Sequence, residues 1–224
     1  NMAVQQFLMM GRAGLDTRNI ISGSMWVWGL NTYGQSGTGS TTAISVPLQI
    51  GSLTNFQNTV QPGTYSGSRS TVKSDGTLWV WGRNNSGVLG LGNTTNISSP
   101  VQVGSLTDWK EVISNEGGNS AAIKTDGTLW SWGEGGEGAL GHGSTTGYSS
   151  PVQVGSATDW EHVIGGGGNN SWMFAMKTNG AIYRSGRGGD AGAANVSSMT
   201  QLGSETGFSD VVLCGKSMVM VKEA

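Results

Sequence analysis

The sequence predicts an all-β protein: a β-propeller of four-stranded antiparallel blades, four in number, with one blade shared by the N- and C-terminal segments. Three observations carry this expectation. Trp-Val-Trp-Gly occurs at 26–29 and 79–82 and returns as Trp-Ser-Trp-Gly at 130–133, so one unit recurs every 51–53 residues. A unit of that length with its own turns and aromatic anchors is a supersecondary element stacked on copies of itself. Short runs rich in Val, Ile, Trp and Thr alternate with turn clusters, and no window holds a helical period. The two ends of the chain, finally, read as parts of one repeat.

The elements follow in order from the repeat beginning at Trp109. Its strand candidates are Trp109 to Ile113, Ser120 to Lys124, Thr128 to Trp132 and Val152 to Val154. Asp126-Gly127 separates the second from the third, and such a pair is a strong hairpin signal because a type I′ turn needs positive φ at both central residues. Asp75-Gly76 and Asn179-Gly180 repeat it. Pro47, Pro100 and Pro151 each stand nineteen residues after the second tryptophan and open the fourth strand. Proline suits an edge, where its missing N–H breaks no ladder bond. Trp26, Trp28, Trp79, Trp81, Trp109, Trp130, Trp132, Trp160 and Phe208 hold equivalent positions and are expected to be structural anchors; in the fourth copy Tyr183 and Ser185 replace the tryptophan pair.

A sheet of this size cannot cover both faces, so the copies must pack on one another. The ends favour a ring. Lys222-Glu-Ala224 matches the approach to the Asp-Gly turn and Gly23-Ser-Met-Trp26 matches its exit, so the last strands are expected to complete the first blade. The domain reading is an arm over 1–21 and a propeller over 22–224, with repeats near 22–55 (completed by 208–224), 56–107, 108–158 and 159–207.

Over residues 22–224 these elements resemble the regulator of chromosome condensation repeats. The motifs are Trp28-Gly29-Leu30-Asn31 with Gly34-Gln35, Trp81-Gly82-Arg83-Asn84 with Gly87 and Leu89-Gly90, and Trp132-Gly133 with Gly138 and Leu140-Gly141. The resemblance implies a propeller, usually of seven blades, whereas this chain has repeats for four. The eponymous member is a nucleotide-exchange factor for a small GTPase that also binds chromatin, and other relatives are secreted enzyme inhibitors. No repeat here carries an insertion like the wedge used for exchange. The shared use that the resemblance implies is protein binding.

Composition narrows the function classes. Lys and Arg number 12 against 14 Asp and Glu, which gives no basic footprint for nucleic acid. Only 12% of residues are charged, against about 25% in ordinary globular domains. With 39 glycines the surface is expected to be polar and nearly neutral, which suits a component of a larger assembly, such as a virion or another surface-exposed particle. The single Cys214 supplies no disulfide framework. Phe7, Leu8, Met9 and Met10 form too short an apolar run for a signal peptide or a membrane span. They read instead as an arm that docks on a partner chain.

Candidate chemistry mostly dissolves into the repeat. Gly133 to Gly138 and Gly186 to Ala191 match dinucleotide-type glycine patterns, but neither opens a helix after a parallel strand. His142 and His162, the only histidines, lie in different parts of the repeat, so no metal site, cofactor or catalytic residue is expected. The Asp108/Glu111 and Asp159/Glu161 pairs recur at matching positions beside the tryptophans and read as strand-end charges. Trp172, which stands where Asn119 stands in the preceding copy, is the best single candidate for a partner contact. The alternative function is a carbohydrate-binding module using loops 34–42, 87–96 and 138–148.

Overall fold

The computed structural model describes residues 23–52, 54–56, 67–115, 117–165, 172–188, 193–214 and 217–222. Fifteen strands are formed among them. The first sheet pairs β1 (Trp26–Gly29) with β2 (Ile44–Gln49). The next runs β3 (Ser68–Val72), β4 (Leu78–Gly82), β5 (Ile97–Gln102), and Phe56 adds a single bridge to Lys73 beside β3. Two complete blades follow: β6 (Trp109–Ser114), β7 (Asn119–Lys124), β8 (Leu129–Gly133), β9 (Tyr148–Gln153), and then β10 (Trp160–Gly165), β11 (Trp172–Lys177), β12 (Ile182–Gly186), β13 (Val196–Gln201). A last two-stranded sheet pairs β14 (Phe208–Cys214) with β15 (Ser217–Lys222). All pairings are antiparallel meanders in chain order.

The hairpins form where the Asp-Gly pairs predict them, but with a different turn. Only the glycine has positive φ, 77° at both Gly76 and Gly127, and the aspartates before them do not. The Gly127 N–H donates to the Lys124 carbonyl at 3.0 Å and the Lys124 N–H to the Thr128 carbonyl at 3.1 Å, the pattern of a type I turn closed by a left-handed glycine. Asp126 explains the preference: its Oδ1 accepts from the Thr128 N–H at 3.0 Å and from the Thr128 hydroxyl at 2.7 Å, a local closure that works with Asp126 at negative φ. These bonds hold the Asp126 and Asp75 carboxyls below their ordinary pKa. The fourth strand also begins earlier than expected, with Pro100 and Pro151 inside β5 and β9. Both strands are outer edges, so the missing N–H disturbs no ladder.

The hydrophobic core lies between blades. One cluster joins Val72, Leu78 and Val80 to Trp109, Val112 and Trp132; a second joins Ile123 and Leu129 to Trp160, Val163 and Met173. A third joins Phe174 and Ile182 to Val211. The inner strand β7 therefore serves two interfaces. Ala122 faces one cluster while Ala121 and Ile123 face the other, as the two-residue period of a strand requires.

The first and last sheets stand apart. β14 and β15 are not hydrogen-bonded to β1 or β2, so the expected shared blade is present as two separate two-stranded halves. The expectation rested on sequence complementarity across the ends, which fixes what the halves could pair with but not whether the arc curves enough to bring them together.

Candidate interaction surface

Three blade interfaces are closed by the same clasp. In the second and third units the second tryptophan reaches the loop of the preceding unit: Trp81 Nε1 donates to the Gln35 carbonyl at 3.0 Å, and Trp132 Nε1 to the Val88 carbonyl at 2.8 Å. In the fourth unit the Ser185 hydroxyl donates to the equivalent Ala139 carbonyl at 2.8 Å. The loops are shaped for this approach. A Cβ added at Gly87 would stand 2.7 Å from the Ser149 Cα of the next blade, so a side chain there would push the blades apart. Asn84 braces its loop from within, donating from Nδ2 to the Asn93 and Thr95 carbonyls and accepting the Leu89 N–H. The backbones of the loops considered for carbohydrate are engaged in this clasp.

A second recurring device is a lysine held between two aromatic rings. Lys73 Nζ lies 5.3 Å from the Phe56 ring and 3.4 Å from that of Trp79; Lys124 lies 5.0 Å from Trp109 and 4.5 Å from Trp130; Lys177 lies 5.1 Å from both Trp160 and Tyr183. Asp108 and Asp159 neutralise two of them, at 3.3 Å from Lys124 and 2.9 Å from Lys177. Burial pushes the Lys73 ammonium below its ordinary pKa, with Asp75 opposing. The sequence carries this signal as a lysine three residues before each Asp/Asn-Gly glycine, but reading that motif only as a turn misses the cage. Between blades, Lys110 pairs with Glu161 at 2.9 Å and His162 with Glu111 at 3.3 Å. Of the former acid candidates, Glu111 and Glu161 are thus cross-blade ties, whereas Asp108 and Asp159 hold the cage lysines of their own blades. His142 is likewise structural, 2.9 Å from the Ser131 hydroxyl and edge-on to Tyr148.

The aromatic positions divide by what lies next to them. Trp81, Trp109, Trp132 and Trp160 are buried, whereas Trp79, Trp130 and Phe208 are partly covered. Trp26 and Trp28, expected to be anchors of the same kind, are 54% and 72% exposed. Among the described residues no loop packs on Trp28 as the loop carrying Gln35 packs on Trp81. Trp172 departs in the opposite direction. Its indole is buried in the third cluster, 5.6 Å from the Phe174 ring, which removes it as a partner contact. The β11 position it occupies faces the next blade, so its side chain is taken up by packing. Phe7, Leu8, Met9 and Met10 lie outside the described residues.

Trp26, Trp28 and Leu30 of the first unit are all exposed. With Gln35, Ser36 and Arg69 they line a shallow groove of about 220 Å³. Burial lowers the Arg69 guanidinium pKa from its ordinary value, and its Nη1 donates to the Ser68 carbonyl at 2.8 Å. Leu30 stands where Arg83, Glu134 and Arg187 stand in the other units, so the apolar character is particular to this end. A more polar groove of about 250 Å³, lined by Arg83, Asn85, Asn115 and Glu134 among others, lies between the second and third units. Among the described residues no group of three or more His, Cys, Asp or Glu could hold a metal, and no helix is long and apolar enough to cross a membrane. The Gly133–Gly138 run follows an antiparallel strand and contains only a 3₁₀ turn at Gly136–Gly138.

Comparison with known proteins matches this architecture. The chain is 28% identical over 173 residues to the mouse (Mus musculus) E3 ubiquitin-protein ligase HERC2, covering 75% of this chain and 4% of that protein. Human WBSCR16 superposes with a TM-score of 0.72 at 17% identity, over 91% of this chain and 54% of that one. Yeast RCC1 (Prp20), in its crystal structure with Kap60, superposes with a TM-score of 0.70 at 16% identity, over 89% of this chain and 50% of that one. The chain thus spans about half the length of these solved relatives and a small part of the ligase. The model of the Regulator of chromosome condensation (RCC1) repeat matches residues 22–64, 75–121 and 126–170, and with the recurrent clasp and strand order this places the chain in the RCC1 repeat family of β-propeller proteins.

Proposed function

We propose that this chain acts by binding protein, as a rigid arc of blades that carries no chemistry of its own. The observation behind the reading is the open apolar face of Trp26, Trp28 and Leu30, because contiguous exposed indole and leucine surface marks an interaction site. Tryptophan is also the residue most enriched among binding hot spots. The crystal structure of yeast RCC1 with Kap60, a related propeller with a protein partner, supports the same use. The proposed setting is a larger assembly, a surface-exposed particle such as a virion included, for which the near-neutral composition is the support. The arm over residues 1–21, with Phe7 to Met10, serves there as a second attachment point. A photo-cross-linking residue at position 28 should yield a covalent adduct with protein, whether a second copy or another chain; recovery of no protein adduct would overturn the reading. Deletion of residues 1–21 should leave the propeller folded and weaken incorporation into the assembly.

A further inference from the structure

We propose that the groove between the second and third units is a docking site for a tyrosine side chain of a protein partner, seated as Tyr33 is seated between the first and second. The proposal rests on the protein-binding reading above and names the chemistry that one contact would recognise.

The repeat itself supplies the comparison. Tyr33, Ser86 and Glu137 hold equivalent places in the loops that follow the Trp-x-Trp-Gly strands of three successive units. Tyr33 lies against the next unit. A Cβ added at Gly67 would stand 2.6 Å from its Cδ2 and 3.0 Å from the Arg83 Cβ, and the Arg83 guanidinium is 4.9 Å from the ring centre. One interface further on, Gly118 and Glu134 take the positions of Gly67 and Arg83, and Ser86 takes that of the tyrosine. There a Cβ added at Gly118 would be 3.5 Å from the Ser86 hydroxyl and 3.6 Å from the Glu134 Cβ, so the walls are kept and the ring is missing. The groove of about 250 Å³ opens at this place, with Ser86, Gly118 and Glu134 in its lining. At the third interface Glu137 instead accepts from Asn195 Nδ2 of the next unit at 3.2 Å.

The lining selects a neutral ring with a polar edge. Arg83 and Glu134 bring one charge of each sign, and among the described residues neither forms an ion pair. A charged guest would be repelled by one of the two. A phenol suits both, because a guanidinium attracts the face of a ring and a carboxylate accepts the phenolic O–H. Asn115 adds a fixed polar wall, since it is buried and its Nδ2 donates to the Trp172 carbonyl at 3.3 Å. Size points to one side chain, as pockets for drug-sized ligands run from about 300 to 1,000 Å³. Tyrosine is also among the residues enriched at binding hot spots.

Amide NMR spectra of the 224-residue chain titrated with N-acetyltyrosinamide test this. Saturable shifts are expected at the Ser86, Gly117 and Gly118 amides, and N-acetylalaninamide should produce none. Ser86→Tyr should abolish the shifts, because it fills the groove as Tyr33 fills its counterpart, and should leave the melting point equal or raised. No saturable shift in the unsubstituted chain, equal shifts with both probes, or shifts that persist in folded Ser86→Tyr would overturn the proposal. Binding of p-cresol without binding of the tyrosine amide would overturn it too, since the groove would then take a free phenol and exclude a side chain. If the titration fails while position 28 still cross-links to protein, the groove inference falls and the protein-binding reading stands.

Discussion

The Ser185 hydroxyl donates to the Ala139 carbonyl at 2.8 Å, which is the bond that Trp132 Nε1 makes to the Val88 carbonyl one unit earlier. The fourth unit has lost its tryptophan and kept the hydrogen bond. Ser185 is fully buried and Met199 fills part of the space, approaching Gly141 where Trp132 approaches Gly90.

Removing the two donors should therefore have different costs. Trp132→Ala removes a fully buried indole that packs in the first cluster and should destabilise by about 3–5 kcal/mol. Ser185→Ala removes one hydrogen bond and leaves the Ala139 carbonyl unpaired, for about 1–3 kcal/mol. Urea denaturation of both variants checks the ordering, and equal losses would show that the serine carries more than its hydrogen bond.

The lysine cage predicts an effect of charge separate from packing. Lys124→Met keeps an unbranched stem between Trp109 and Trp130 but removes the cation from both rings and from Asp108. A loss of about 1–2 kcal/mol is expected from the desolvated cation–π contacts. Thermal unfolding of Lys124→Met should show a clear decrease, while Lys222→Met, at a half-exposed cage, should change the stability of the single chain little. Equal effects at the two positions would contradict the cage.

The blade tie between β6 and β10 should depend on pH. The hydrogen bond that His162 donates to Glu111 raises the His162 pKa above its ordinary 6.5, and burial opposes it. The protonated form is thus favoured by folding, so the contribution is full below about pH 6.5 and is lost as pH rises through the folded-state pKa. The difference in melting point between the unsubstituted protein and His162→Gln should be largest in mild acid and narrow towards alkaline pH. Its size should stay near or below about 1 kcal/mol, because both side chains keep some solvent contact. A gap that widened with pH would reverse the assignment.

Two glycines with similar backbone angles should respond differently to alanine. Gly127 has φ 77° and a Cβ there would run into the Thr158 carbonyl of the next unit, whereas Gly104 has φ 59° and open space around it. Gly104→Ala should cost only the left-handed strain, about 1–2 kcal/mol. Gly127→Ala should cost more and loosen the adjoining interface, which hydrogen exchange at the Trp160 N–H would report, since that group donates to the Gly127 carbonyl at 3.1 Å. Similar losses at both sites would mean that the close approach is readily relaxed.

Much of the architecture is local and therefore legible from residue order. The two-residue alternation sets the strands, Asp126-Gly127 sets the hairpin, and the equal offsets of Trp132, Gly138 and Pro151 set the repeat. The turn type was less legible, because the Asp126 side chain can stabilise a conformation that the Asp-Gly dipeptide alone does not specify. Trp172 misled for a similar reason: replacing Asn119 by tryptophan looks like an exposed novelty, but the β11 position faces the next blade and the indole is buried there.

The limit is sharpest at the first unit. Trp-Val-Trp-Gly is identical at 26–29 and 79–82, yet Trp28 is 72% exposed and Trp81 is 1% exposed. The sequence by itself determined the period, the strands, the family and which residues are equivalent, since those follow from local pattern. Only the tertiary structure decided which equivalents are buried, because burial depends on whether a neighbouring unit supplies the loop that covers the ring. It also decided that the two halves of the split repeat stand apart, since ring closure depends on the angle between successive blades, which is set by side-chain packing at their interfaces.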